Sequence, residues 1–435
     1  MKLESTATLF ILAAALAAAF AAEPPVPPDE AASEWDDYLT SEFQNFLWND
    51  EVRTGYEAYA KKEHKAAFEA LSKAIDKGCK DPVVVFRAGY SLRAAGEPDK
   101  AAGYFKTAAE QFAKARPEHR YRADAHFYLA EFYLKHNKVD EAEWELEHAV
   151  DLRGTFTEAY LLHGDMFFSQ GRYQFAAEQY QRAHEADPQS VKPLMNLAVA
   201  LFRDGKLDKA RAAVEKARLL EPDSERIGLT AATLALAGND LEAAGKEYAA
   251  IHERDRESVN ALLGLGYVAW RRDKLDDARD HYTAVLDRHP EHVDALYGLG
   301  IVEAKGGETD KAIEHLRAVV ALRQDHRDAH YNLGSLYQHK GDYELAIKEY
   351  AQVMQLDPSD RTPAYNLGVI FIRLKRYAEA QEYLEQAVQA FGKDTRWGQA
   401  ALKLLDLVIQ IQQDRTLEID KELERLGQPD TKSPE

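Results

Sequence analysis

The chain has 435 residues, 46% of them hydrophobic and 30% charged, with a net charge of −19. That is the composition of a folded, soluble protein, and its acidic balance argues against a phosphate-backbone partner, because nucleic-acid binders carry a basic excess. The lone cysteine, Cys79, excludes an internal disulfide, a cysteine-based zinc site and a c-type haem motif.

The first 21 residues differ in kind from the rest. Lys2 gives a short basic start, weakened by Glu4, and Ala7 to Phe20 is almost wholly apolar, ending in Ala19-Phe20-Ala21. These are the parts of a secretory signal, with cleavage expected after Ala21 and export to the periplasm or medium. An uncleaved N-terminal anchor is the alternative. No cysteine stands at the cleavage site, so a lipoprotein is not supported. Residues 22–32 contain the stretch EPPVPPDE, an extended proline-rich linker. Over 33–47, Trp35, Tyr38, Leu39, Phe43, Phe46 and Leu47 recur at helical spacing. This reads as a helix that caps the first repeat; it lacks the basic face that a membrane-surface helix prefers.

From Trp48 to Asp394 the chain repeats itself. Repeat starts fall at Trp48, Pro82, Ala123, Thr157, Val191, Glu225, Val259, Val293, Arg327 and Arg361. Every step is 34 residues except one of 41, which places a seven-residue insertion near 114–122. It is expected to lengthen that repeat's second helix or its exit loop. Position twenty reads Ala67, Ala101, Ala142, Ala176, Ala210, Ala244, Ala278, Ala312, Ala346 and Ala380. Only a small side chain lets two helices cross that closely. Position eight is glycine or alanine throughout, from Gly55 and Gly89 to Gly334 and Gly368. Glycine costs about 1 kcal/mol against alanine inside a helix, so its recurrence needs a packing reason. Position twenty-four is large, as Leu71, Phe105, Tyr180 and Tyr350 show, and Pro188, Pro222, Pro290 and Pro358 stop the second helix.

These positions together resemble the tetratricopeptide repeat. Two departures are local: Cys79, Gly154, Arg256, Gln324 and Gly392 replace the proline, and the family's tryptophan at position four is absent. The resemblance implies an all-α fold, a right-handed superhelical solenoid of ten helix-turn-helix repeats. Residues 395–427 then read as C-terminal capping helices with Leu402, Leu405, Val408 and Ile409 among their apolar positions, and 428–435 as a disordered tail.

Signals for chemistry are few. There is no phosphate loop, no HExxH and no calcium-loop spacing. His326 and His330 stand four apart, but one lies in a turn and the other at a packing position, so no metal site is expected, nor any cofactor. The informative residues lie at positions two, five, six, nine, twelve and thirteen, many of which line the concave groove in the family. At one end these are Arg53, Tyr56, Arg87, Tyr90 and Arg93; at the other Tyr331, Asn332, Tyr365 and Asn366. Arginine and aromatic residues are enriched at binding hot spots. If aligned, the arginines form a positive surface on an acidic protein, suited to an acidic segment; alternatively they pair with Glu57 or other local acids and bind nothing. In similar arrays an asparagine at position six hydrogen-bonds a bound peptide's backbone. The basic clamp of the chaperone-binding subclass is missing, since Leu161 and Asp165 stand where it needs lysine and asparagine.

The expectation is a non-enzymatic scaffold that binds peptide segments of partner proteins and organises an envelope or secreted assembly. The alternatives are an assembly factor for pilus or polysaccharide export, or a non-catalytic targeting partner of a separate enzyme.

Overall fold

A computed structural model describes residues 49–413. The expected signal at 1–21, the linker at 22–32, the capping helix at 33–47, the end of the C-terminal helical region at 414–427 and the tail at 428–435 lie outside the described residues. All regular structure among the described residues is α-helical. The order is α1 (Asn49–Ala60), α2 (His64–Asp76), α3 (Pro82–Ala94), α4 (Pro98–Ala115), α5 (Arg120–Lys135), α6 (Val139–Leu152), α7 (Thr157–Ser169), α8 (Tyr173–Ala186), α9 (Val191–Arg203), α10 (Leu207–Leu220) and α11 (Glu225–Ala237). Next come α12 (Leu241–Arg254), α13 (Val259–Arg271), α14 (Leu275–Leu286), α15 (Val293–Lys305), α16 (Thr309–Leu322), α17 (Arg327–Lys340), α18 (Tyr343–Leu356), α19 (Thr362–Arg373), α20 (Tyr377–Phe391) and α21 (Arg396–Gln413).

Position fifteen of the repeat makes the turn between first and second helix. It is occupied by Lys62, Gly96, Asn137, Gly171, Gly205, Asn239, Asp273, Gly307, Gly341 and Lys375, all with φ between +56° and +93°. The next residue's N–H reaches back to the carbonyl five residues earlier, as in Glu97 to Leu92 at 3.1 Å and Asp342 to Tyr337 at 2.9 Å. This left-handed cap satisfies carbonyls that the helix end leaves open and reverses the chain in three residues.

Positions eight and twenty then set how closely the two helices approach. All ten position-twenty alanines are fully buried, at 0% exposure. A Cβ added at Gly164 would stand 2.5 Å from the Tyr180 ring, at Gly334 2.8 Å from Tyr350 and at Gly55 2.6 Å from Leu71. So position eight is a seat for the large side chain at position twenty-four, and the glycine that weakens the helix locally admits a buried ring.

The chain divides between Ile227 and Gly228 into two compact units. In the first, each first helix packs on its own second helix and on the second helix before it, from α1 through α10. The insertion near 114–122 lengthens α4 to 18 residues and starts α5 at Arg120, which adds Arg120, Tyr121 and Arg122 to its first turn. In the second unit a continuous core runs from Leu296 to Val408. α21, the last helix among the described residues, packs on it, burying Ala401, Leu404, Leu407, Val408 and Ile411, with Leu402, Leu405 and Ile409 half-buried along its edges.

Candidate functional site

In the first unit, α1, α3 and α5 bring an arginine–tyrosine cluster together. The Arg87 guanidinium lies 4.2 Å from the Tyr56 ring centre, 5.3 Å from Tyr59 and 5.8 Å from Tyr121, and it donates to the Tyr121 hydroxyl at 3.4 Å. Arginine is suited to this, because its flat, weakly hydrated cation stacks on aromatic faces. Tyr121, in the inserted stretch, also stacks on Phe86 at 4.5 Å. The insertion therefore supplies part of the cluster. The break in the 34-residue period was the signal for it, but which residue it brought in was not readable. Nearly two turns along, Arg93 lies 4.7 Å over the Tyr128 ring and donates to Glu131 at 2.7 Å. Burial raises the Glu131 carboxyl and Arg93 opposes that rise. Tyr90 bridges the two arginine seats, with ring centres 5.8 Å from Tyr59 and 5.9 Å from Tyr128.

The expected surface of three guanidinium groups is corrected. Arg87 is only 3% exposed and Tyr56 is buried. Arg93 is half-buried against Glu131, and exposed Arg53 pairs with Asp50 one turn back at 3.0 Å. Arg87 is a buried bracket between α1, α3 and α5; of the expected group, Tyr90 and Arg93 reach the half-exposed surface.

The second unit holds Tyr331, Asn332, Tyr365 and Asn366. Asn332 donates to the Tyr297 hydroxyl at 3.1 Å, and Asn366 donates to the hydroxyls of Tyr331 at 3.2 Å and Tyr350 at 3.1 Å. Tyr350 in turn donates to the Gln338 side-chain carbonyl at 3.1 Å. Thus the position-six asparagine spends its amide on the tyrosine at position five of the preceding repeat. Asn332 is 3% exposed, so it is an internal bracket and not a free donor for a ligand. Tyr365 is buried against Trp397, ring centres 5.4 Å apart, and burial pushes its hydroxyl up to about 12. Tyr331 and Asn366 remain half-exposed.

The sequence carries a signal for the contact between Asn366 and Tyr350. Where position twenty-four is tyrosine, position six of the next repeat is asparagine or glycine: Tyr180 with Asn196, Tyr248 with Gly264, Tyr282 with Gly298, Tyr350 with Asn366. The glycines make room, since an added Cβ would lie 2.4 Å from Tyr248 or 2.5 Å from Tyr282. In the first unit, Tyr180 donates to Asp165 at 2.6 Å and Asn196 to the same oxygen at 3.4 Å. Burial raises the Asp165 carboxyl.

His326 and His330 are held by the fold. His326 caps α17, accepting from the Ala329 N–H at 3.2 Å. His330 faces Glu349 at 2.6 Å and the Gln324 carbonyl at 3.0 Å. His126 and Glu145 form the same pair at the same repeat positions, 2.6 Å apart. No group of three metal-ligating side chains occurs among the described residues. Cys79 is buried, and burial pushes its thiol up to about 11. No helix among the described residues is long and apolar enough to cross a membrane.

A stack of helix hairpins with a left-handed fifteenth residue and small eighth and twentieth residues defines a helical-repeat protein. Three family models, each described as tetratricopeptide repeat, match residues 86–153, 229–284 and 268–325; 326–393; and 167–234. The chain belongs to the tetratricopeptide-repeat family. No curated protein matches it in sequence. Among solved structures it is similar to the C-terminal part of a TPR repeat-containing protein from Cytophaga hutchinsonii, at 18% identity and a TM-score of 0.50, over 57% of this chain and 99% of that one. It is also similar to a tetratricopeptide repeat protein from Parabacteroides merdae, at 18% identity and a TM-score of 0.46, over 58% of this chain and 98% of that one. Yeast Tom70 aligns over 89% of this chain and 99% of its own, at 13% identity and a TM-score of 0.44.

Proposed function

We propose that this protein is a non-enzymatic interaction scaffold that binds extended peptide segments of partner proteins on the first-helix faces of the repeats within each unit. The observation that carries the reading is the fixed state of the half-exposed side chains on those faces. Arg93 is held by Tyr128 and Glu131, and Asn366 by two tyrosine hydroxyls. Side chains already ordered lose little entropy when a ligand arrives, which favours binding without a conformational change. Tyr90 with Arg93 suits an acidic segment, and Tyr331 with Asn366 suits a neutral extended backbone. The apolar stretch ending at Ala21 further supports export, with a mature chain beginning near Ala22 in an envelope or secreted assembly.

The test is selection from a random peptide library on the full chain, followed by affinity measurements at two salt concentrations. Tyr90→Ala with Arg93→Ala should weaken its peptides and flatten their salt dependence. Tyr331→Ala with Asn366→Ala should weaken its own with the salt dependence unchanged. Equal affinity for wild type and both variants removes the first-helix faces from the function.

A further inference from the structure

The second helices carry a separate feature in the first unit. α8 and α10 both pack on α9, and the furrow between them is an open groove of about 740 Å³. Its floor is Leu197 and Leu201 of α9, and its sides are kept low by Ala177, Ala212 and Ala213. Position twenty-two and position twenty-three are both alanine in this repeat alone; elsewhere at least one is larger, such as Trp144-Glu145 or Lys246-Glu247.

The two walls differ in charge. α8 contributes Glu178 and Glu185 with Arg182 between them, so this wall is net acidic but not purely so; the only hydrogen-bond partners of the two carboxylates among the described residues are Gln174 and Gln181 on the same helix, at 3.3 and 2.9 Å. α10 contributes Lys209 and Lys216, with Lys206 at its start paired to Asp204 at 2.6 Å. Among the described residues, no ion pair joins the acidic wall to the basic one. The neighbouring furrow differs: Arg172 at the start of α8 reaches Glu143 of α6 at 3.6 Å. A net acidic side and a basic side thus flank an apolar floor with no direct ion pair between them among the described residues.

We propose that this furrow docks an amphipathic helix of a partner protein, with its apolar stripe on Leu201 and the alanines, a basic edge along α8 and an acidic edge along α10. A helix lying between two others packs its ridges into their grooves, and the helix-in-groove mode reads apolar anchors at i, i+3, i+4 and i+7. Charge complementarity selects this occupant over an all-basic one, even though the whole chain is strongly acidic. This surface is distinct from the first-helix faces.

The experiment uses the full chain and three labelled synthetic helical peptides of about 18 residues, long enough to span α8 and α10. They share one apolar stripe; one has an acidic and a basic edge, one has two basic edges and one has two acidic edges. Fluorescence anisotropy should rank the mixed-edge peptide first, with the others about tenfold weaker. Lys209→Glu with Lys216→Glu should move the preference to the two-basic-edge peptide, with the thermal midpoint unchanged because both lysines are exposed. The net charge of −19 alone would rank the two-basic-edge peptide first on the wild type, and that ranking would overturn the proposal. So would a preference indifferent to the lysine reversal, or a dimer dissociated by it, which would make the furrow a contact between copies. None of these outcomes bears on peptide binding at the first-helix faces.

Discussion

His163 offers the sharpest test of the packing. It occupies position seven, where Leu129, Leu197, Leu265, Leu299, Leu333 and Leu367 stand in six other repeats. It is 4% exposed, stacked on Phe167 at 4.6 Å, and neither ring nitrogen has a hydrogen-bond partner among the described residues. The burial carries two costs. At neutral pH the imidazole leaves buried polar atoms unsatisfied, worth about 1–3 kcal/mol. In acid, burial together with Arg182 and Arg172 opposes the charge and lowers the group to about 4. The unfolded chain takes up its proton near pH 6.5 and the folded one does not, so stability is lost as pH falls from there towards 4 and no further below it. At about 1.36 kcal/mol per pH unit that loss is about 3 kcal/mol. His163→Leu keeps a similar volume and removes both costs. We expect it to stabilise by about 1–3 kcal/mol at pH 7, and the advantage to grow by about 3 kcal/mol at pH 4. Urea unfolding followed by circular dichroism across that range measures both. A leucine variant no more stable than wild type, or an advantage independent of pH, would refute the reasoning.

Gly298→Ala should destabilise by about 1–3 kcal/mol in spite of alanine's better helix propensity, because its Cβ would meet the buried Tyr282 ring at 2.5 Å. Gly245→Ala, with no approach closer than 3.4 Å, is the control and should gain stability in the same thermal melts. Lys375→Gly should stabilise by about 0.5–1 kcal/mol, since φ is +59° there; an unchanged midpoint would argue against the left-handed turn. At His330, burial opposes the charge, but Glu349 and the Gln324 carbonyl outweigh it and raise the imidazole above its ordinary value. Its stabilising share is therefore full below about pH 6.5 and lost as pH rises through the raised value. Glu349→Gln should remove that alkaline loss in urea unfolding from pH 6 to 9, and an identical pH profile would count against the pair.

The sequence by itself determined the helices, their period and the sizes at the crossing points. Those features are local or repeat at fixed spacing: a small residue at position twenty, a seat at eight, a large side chain at twenty-four. It also carried the rule that asparagine or glycine stands sixteen residues after a tyrosine at position twenty-four, whose meaning only the packing supplies. What it left open is where each polar atom finds its partner. Arg87 was legible as a residue facing the groove, but only the approach of Tyr56, Tyr59 and Tyr121 makes it a buried bracket. Asn332 was legible at position six, but only its neighbour's Tyr297 hydroxyl claims its amide. The furrow between α8 and α10 likewise depends on two helices that pack on a third and leave a gap between themselves. Side-chain size at a fixed period is written along the chain, whereas hydrogen-bond partners and facing charges are set by residues about 30 positions apart that only folding brings together.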